Sequence, residues 1–484
     1  MPFFRNQIGS KTSAIAGIFL RLLLVAFTLS HALDAVGQGA QAKLLPSTPP
    51  ADTDWAYYCD PSHKVDATDQ LKCIGGKPGS ERQVSISGEL RARGEYFDHI
   101  KLGELSPSSG YLLQRYILNS DVVLGDNVRL FVSLESGLED GRVGGPRPNV
   151  DEDRLFFHQG FLQFRSRREH PTVDLRIGRE ELTFGSGRLI SSRELPNLQQ
   201  NFDGIRLLVS PASWQINVLT LKPSESNHGI FDDYPDHTFS VWGIYATRHA
   251  NREDAATLDI YYLGIDHKRS TFQAGSGREQ RQTVGARLAG TRGHWDHDSE
   301  AMFQFGTFAV RPIRAWTVTS NSGYTIRSRK GKEIDYRLGF DGSLASGNHN
   351  PTKGTFGTFN ALFPVGAYFG EANFIGPYNV QVIRPSLRVT MPHRRIVIWP
   401  NIEMLWRQSR QDGIYSIPAA LVQAGSAADA LYIGCQADLN IQWKQDRHLT
   451  WAVDGAHLFS GAFLHQTTSG KSVNFFAPSV SYRF

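Results

Sequence analysis

Beyond its N-terminal segment, the 484-residue sequence has no run of about 18 apolar residues, which excludes membrane-spanning helices. Cysteine is scarce, with three residues, and no Cys/His spacing suits a zinc site. The nucleophile elbow G-x-S-x-G, the H-E-x-x-H pair and the phosphate-binding P-loop are all missing. Paired carboxylates occur throughout the chain, so pairing singles out no glycosidase-like acid and base. No catalytic residue, metal or cofactor is therefore expected. A strong charge imbalance is missing too: 51 Lys and Arg face 47 Asp and Glu, for a net charge of +4. A nucleic-acid binder would carry a far more basic face.

What is present is aromatic and glycine-rich. Aromatic residues make up 11% of the chain and 46 residues are glycine. Without long apolar runs, this composition fits strands that alternate lipid-facing and water-facing residues, or a soluble all-β protein. The N-terminus reads as a secretory signal over about residues 1–42. Arg5 and Lys11 precede an apolar stretch from Ile15 to Leu29, broken by Arg21, and cleavage falls near Ala32 or Ala42. The other reading of this short run is a membrane anchor. Residues 43–83, rich in Pro, Ala, Ser, Asp and Gly, read as a periplasmic lead-in of low order. Within it, Cys59 and Cys73 enclose a polar loop. Paired in an oxidising compartment they would contribute about 3 kcal/mol; unpaired they are two thiols in a loose segment, and the spacing leaves both open.

From Val84 to Phe484 the pattern is strand after strand. In VSISGELRARGEY, the residues Val84, Ile86, Gly88, Leu90, Ala92, Gly94 and Tyr96 share one face. Ser85, Ser87, Glu89, Arg91, Arg93 and Glu95 share the other. The same alternation sets Val128, Leu130, Val132 and Leu134 against Arg129, Ser133 and Glu135. It sets Val173, Leu175 and Ile177 against Asp174, Arg176 and Glu180. Arg206, Arg287, Arg384 and Arg388 fall on the polar phase of their strands. LFFHQGFLQF has no clear register. At about 20–25 residues per strand and connection, the segment holds roughly 16–20 strands, with an even count of about 18.

Energetics assign the faces. An Arg in lipid at the bilayer midplane costs roughly 2–4 kcal/mol. Eight of them would exceed an ordinary folding stability. In a membrane barrel the polar phase therefore lines the lumen, where Arg rings can select anions by charge and grip carboxylates two oxygens at a time. The same charges could instead pair internally and stiffen the wall. The closing FAPSVSYRF alternates apolar residues up to Phe484, a pattern that outer-membrane assembly machinery favours. His294, Asp296, His297 and Asp298 in GHWDHDSE, and the stretch Asp151, Glu152 and Asp153, could each hold a cation. Solvated turns are the more ordinary reading of both.

The stretch YLLQRYILNSDVVLGDNVRLFVSLESGLEDGR resembles the second and third strands of the alginate-export family of outer-membrane proteins. LRIGREELTFGSGRLISSRELPN, FDGIRL, GTFNALFPVGAYFGEANFIGPYNV, DGIYS and the closing SYRF resemble the same family, in order. The resemblance runs from about Gly88 to Phe484. It implies a single all-β domain over 84–484: a monomeric, transmembrane antiparallel β-barrel of about 18 strands in the bacterial outer membrane. It further implies a pore passing an anionic polyuronate such as alginate, or its fragments, through a basic lumen, with export and import both open. Its partners would be outer-membrane lipid, the solute and the assembly machinery. The candidate solute-binding residues are Arg91, Arg93, Arg115, Arg129, Arg176, Arg179, Arg206, Arg384 and Arg388. Glu89, Glu95, Glu135, Asp174 and Glu180 are the interleaved acids. Arg115 and Arg179 lie on strands whose alternation is less clean. The Cys59–Cys73 segment is outside the family pattern. The competing readings are a general porin for small organic anions and a secreted, soluble carbohydrate-binding protein.

Overall fold

The computed structural model describes residues 50–79, 82–166, 171–249, 256–328, 334–350 and 352–484. The expected signal over 1–42 lies outside them. From Arg82 onward, 18 antiparallel strands follow one another around a closed barrel. The first six are β1 (Arg82–Phe97), β2 (Ser109–Leu124), β3 (Val128–Asp140), β4 (Asp153–Arg165), β5 (Thr172–Glu180) and β6 (Phe202–Ser210). Next come β7 (Trp214–Glu225), β8 (Phe239–His249), β9 (Thr257–Phe272), β10 (Gly275–Arg292), β11 (Trp295–Phe308) and β12 (Arg311–Ile326). The last are β13 (Asp335–Ala345), β14 (Val380–Met391), β15 (Ile396–Arg407), β16 (Tyr432–Lys444), β17 (Leu449–Ser460) and β18 (Val473–Arg483). β18 pairs back onto β1, so no strand edge is left open. At this seam the backbone of Gly88 exchanges two 3.1 Å hydrogen bonds with Phe484. A side chain on Gly88 would meet the Phe484 ring at 2.7 Å.

The apolar phase faces outward. Ile177, Ile205, Val218, Ile244, Ile260 and Val284 are all exposed on the barrel wall. A soluble sandwich would bury this phase, so that alternative fails. Trp214, Trp295, Tyr324, Tyr336, Trp443 and Trp451 share the outward phase near one rim, where amphipathic rings suit a membrane interface. Connections at that rim are short, as at 125–127, 293–294 and 445–448. Those at the other include 181–201, 346–379 and 408–431. Short turns mark the periplasmic mouth and long loops the extracellular one.

The long loops fold inward. Loops 181–201 and 346–379 meet inside the barrel through the parallel bridge Ile190–Phe363. Their apolar residues join inward-facing ones from the wall, including Leu219, Val241, Phe308 and Ile313, in one large cluster. Phe356 is fully buried there, 4.5 Å from the Phe308 ring and 5.0 Å from Phe272. A short helix, α1 (Ala462–Thr467), adds Phe463 and Leu464.

Residues 50–79, expected to be of low order, are instead folded across the periplasmic mouth. Four short 3-10 turns lie between Pro50 and Leu71, and Asp54, Asp60 and Asp66 cap the last three. A disulfide joins Cys59 to Cys73, with Cα atoms 5.1 Å apart. Ile74 bridges to Val84, and the buried Lys72 donates to the carbonyl of Ile86. Arg447, in the β16–β17 turn, is ion-paired with Asp66 and Asp69. The composition misled because this segment has little core of its own; its partners belong to the barrel.

Candidate functional site: a charged lumen narrowed from both ends

A strand has only two faces, and the outward one is apolar here, so the charged residues of β1–β6 converge on the lumen. Arg91, Arg93, Arg115, Arg129, Arg176 and Arg206 all project there, as do Arg384 and Arg388 on β14. Most are neutralised on the spot. Arg93 lies 2.9 Å from Glu95 and 2.7 Å from Asp454. Arg115 lies 2.6 Å from Glu89, and Arg206 2.7 Å from Glu180. Arg129 grips Asp121 with two 2.7 Å bonds. Arg384 bridges Asp341 at 2.8 Å and Glu403 at 3.1 Å. Asp174 takes Arg165 at 2.7 Å, and Glu135 faces His158 at 3.0 Å. A desolvated charge without a partner is strongly destabilising, which explains why acids and arginines interleave.

Two candidates have no carboxylate partner within ion-pair distance among the described residues. Arg91 sits directly across the ladder from Arg115. Both guanidiniums are held by the same two loop carbonyls, those of Glu194 and Pro196, at 2.8–3.2 Å. Carbonyls orient a guanidinium without cancelling its charge. Arg388 stacks on Trp399, its guanidinium carbon 4.4 Å from the ring centre. Its register neighbour is another cation, Arg337.

Arg179 departs from the expected lumen position. It shares the outward phase of Ile177 at the extracellular rim, where it pairs with Asp203 at 2.9 Å and lies 3.7 Å from Asp233. Near the interface an outward Arg costs only about 0–1 kcal/mol, so nothing forces it inside.

Sequence reasoning passed over three arginines. Arg188 in loop 181–201 reaches Asp298 at 3.0 Å and Glu300 at 2.9 Å. Arg281 is fully buried against Glu279 at 2.5 Å. Arg407 is fully buried too and donates to five carbonyls of loop 408–431, those of Arg410, Asp412, Gly425, Ala428 and Ala430. The signal was weak. REQRQT around Arg281 has no apolar alternation to reveal its face, and loop carbonyls leave no trace in sequence.

In loop 346–379, Glu371 approaches Arg93 to 3.9 Å. Burial, together with the neighbouring Asp454 carboxylate, pushes Glu371 up to about 7. In loop 408–431, Asp412 accepts hydrogen bonds from Asn348, Thr358, Gly413 and Tyr415 at 2.6–2.9 Å. This network ties the two loops together.

At the periplasmic side, residues 51 and 52 reach the wall. Ala51 packs with Phe131 and Phe161. Its carbonyl accepts from Arg129 at 2.7 Å, and Asp52 lies 2.7 Å from Arg176.

The two candidate cation clusters in the sequence are arranged as follows. In GHWDHDSE, Asp296 pairs with Arg337, and Asp298 with Arg287 and Arg188, while the His294 ring meets the Thr325 carbonyl. Asp151 pairs with Arg147 at 2.7 Å. Asp153 instead gathers with Asp232 and Asp233, their carboxylates within 4.8 Å of one another.

A family model described as alginate export matches residues 82–477. No curated protein matches the chain in sequence. Among solved structures, Pseudomonas aeruginosa OpdK with vanillate is similar at TM-score 0.53 and 13% identity, covering 82% of this chain and 98% of that one. Pseudomonas aeruginosa OpdQ is similar at TM-score 0.54 and 11% identity, over 83% and 98%. Acinetobacter baumannii OccAB2 is similar at 0.54 and 11%, over 82% and 98%. At these identities the likeness is one of fold.

Proposed function

We propose, from the premise that this chain belongs to the alginate export family and is an outer-membrane channel rather than an enzyme, that its solute is an acidic polysaccharide such as alginate, or fragments of one. The observation that carries the reading is the pair of lumen cations without carboxylate partners, Arg91 and Arg388. Most of the other lumen arginines are paired with carboxylates of the wall. Arg91 and Arg388 keep charge available to a passing carboxylate, and Trp399 beside Arg388 offers a flat face to a sugar ring. Interleaved acids keep the attraction weak enough for a polyanion to leave again.

The test is the reversal potential of the purified protein in a planar bilayer under a salt gradient, with and without an oligouronate. Anion preference, block by oligouronate, and loss of both in Arg388→Ala are the expected results. Cation preference, or indifference to uronate, would sink the reading. A second reading is favoured by one feature, the meeting of loops 181–201 and 346–379 inside the lumen. So narrowed, the pore suits small organic carboxylates. OpdK, which shares the fold, was solved with one, vanillate. Permeation by monouronate, with oligouronate acting only as a blocker, would favour that alternative.

A further inference from the structure

The segment 50–79 precedes the family match, which begins at residue 82. It is an addition to the barrel rather than a part of it, and its two parts are held differently. The part nearer the barrel is fastened. Arg447 holds Asp66 and Asp69, the His448 ring meets Asp66 at 2.8 Å, and Lys72 is buried, with its ammonium 4.6 Å from the Trp55 ring centre. Residues 51 and 52 rest on the solute-facing wall. Their polar contacts there are a carbonyl, from Ala51 to Arg129, and a carboxylate, from Asp52 to Arg176.

The two arginines differ in what they have besides these contacts. Arg129 is already paired bidentately with Asp121. Arg176 has Gln163 at 3.1 Å on Nε and Glu180 at a long 3.5 Å on Nη1. Its Nη2 is met by Asp52 at 2.7 Å. The Asp52 side chain is itself 48% exposed, against 9% for Arg176. Half-exposed partners also occur in pairs within the wall, such as Arg165 with Asp174; what sets Asp52 apart is that it comes from outside the barrel strands. Here a buried guanidinium meets an accessible carboxylate, the arrangement of a receptor and its ligand.

We propose that Arg176 is a carboxylate-binding position at the periplasmic mouth and that Asp52 is its built-in competitor. This rests on the reading of the lumen as an anion path. Residues 51 and 52 offer a carboxylate beside a neutral oxygen, the same pair of groups that a uronic acid residue presents. A solute entering from the periplasm takes the Nη2 position of Arg176 only by displacing Asp52. The fastened part then keeps the released residues at the mouth, ready to return.

The experiment uses the full-length protein in planar bilayers, with a three-residue oligouronate added on the periplasmic side. Asp52→Asn lowers the half-blocking concentration by about tenfold, and Asp52→Glu restores it. In an Arg176→Gln background the effect of Asp52→Asn disappears. Heat-modifiable gel mobility confirms that each variant is a folded barrel. An unchanged half-blocking concentration in Asp52→Asn, with an anion-selective wild type, overturns the inference and leaves the functional reading standing. So does an effect of Asp52→Asn that persists undiminished without Arg176. A wild type indifferent to uronate sinks the functional reading instead. Chloride conductance then decides the inference, which falls unless Asp52→Asn raises that conductance.

Discussion

Loop 346–379 and segment 50–79 both enter the barrel, one from each mouth, and their attachments differ in kind. The loop is cemented by apolar contact. Phe356, Phe359, Phe363 and Tyr378 belong to a cluster that includes wall residues from β6 to β17. The N-terminal segment buries Ala51, Trp55 and Tyr58 but adds no residue to that cluster, and it is tied to the barrel by ion pairs, with caps and one disulfide shaping it. Burial of an aromatic ring is non-directional and unaffected by pH. An ion pair can be exchanged for another, screened or protonated. The loop therefore reads as permanent architecture and the segment as something that can be displaced.

The contrast is sharpest in stability. Phe356→Ala removes a fully buried ring and is expected to cost about 3–5 kcal/mol. Asp52→Asn should cost less than about 1 kcal/mol, because the Asp52 carboxylate is half open to solvent and Arg176 keeps Gln163 and Glu180. The temperature at which the heat-modified band appears on gels measures both, and equal shifts would erase the distinction. A smaller loss, about 1–3 kcal/mol, is expected when Asp412→Ala leaves the Thr358 and Tyr415 hydroxyls without their acceptor.

Acid should separate the two. Burial alone would raise Asp66, but hydrogen bonds from Thr68 and His448 and the Arg447 charge outweigh it and hold Asp66 at about 2. A carboxyl lowered in the folded state contributes stability above its ordinary value and loses it as pH falls through the folded one. Between pH 4 and 2 the segment should come free while the loop stays packed. Protease cleavage within 50–79 in that window, with the barrel intact, is the expected result. Protection down to pH 2 would count against it.

The smallest effect belongs to the loop's own titrating group. Glu371 sits near 7, so raising the pH from 6 to 8 adds negative charge beside Arg93. Anion conductance should fall modestly over that range and become flat in Glu371→Gln. A flat wild type would remove Glu371 from the conduction path.

The barrel was legible because alternation is local. Arg91, Arg93, Arg129, Arg176, Arg206, Arg384 and Arg388 could be placed on the inward face from their immediate neighbours alone. The strand LFFHQGFLQF was not readable because its register with β3 shifts between Ser133 and Leu134, so alternation breaks mid-strand. Arg179 was misplaced by its charge, although its phase matches Ile177; the rim tolerates what the midplane would not. Which arginines are neutralised was hidden, since partners such as Asp454 for Arg93 lie 361 residues away. The N-terminal segment was hidden for the same reason: Asp52 and Arg176 are 124 residues apart.

The bond between Cys59 and Cys73, 14 positions apart, has a consequence in time rather than in energy. The ring it closes contains Asp66, Asp69 and Lys72, so the fastened part of the segment is one covalent body. Residues 51 and 52 then exchange with solute from a fixed base over a short tether. Recorded through a single molecule, that exchange would be a two-level telegraph signal. Opening the ring by replacing both cysteines with serine would loosen the base and turn the signal into graded noise.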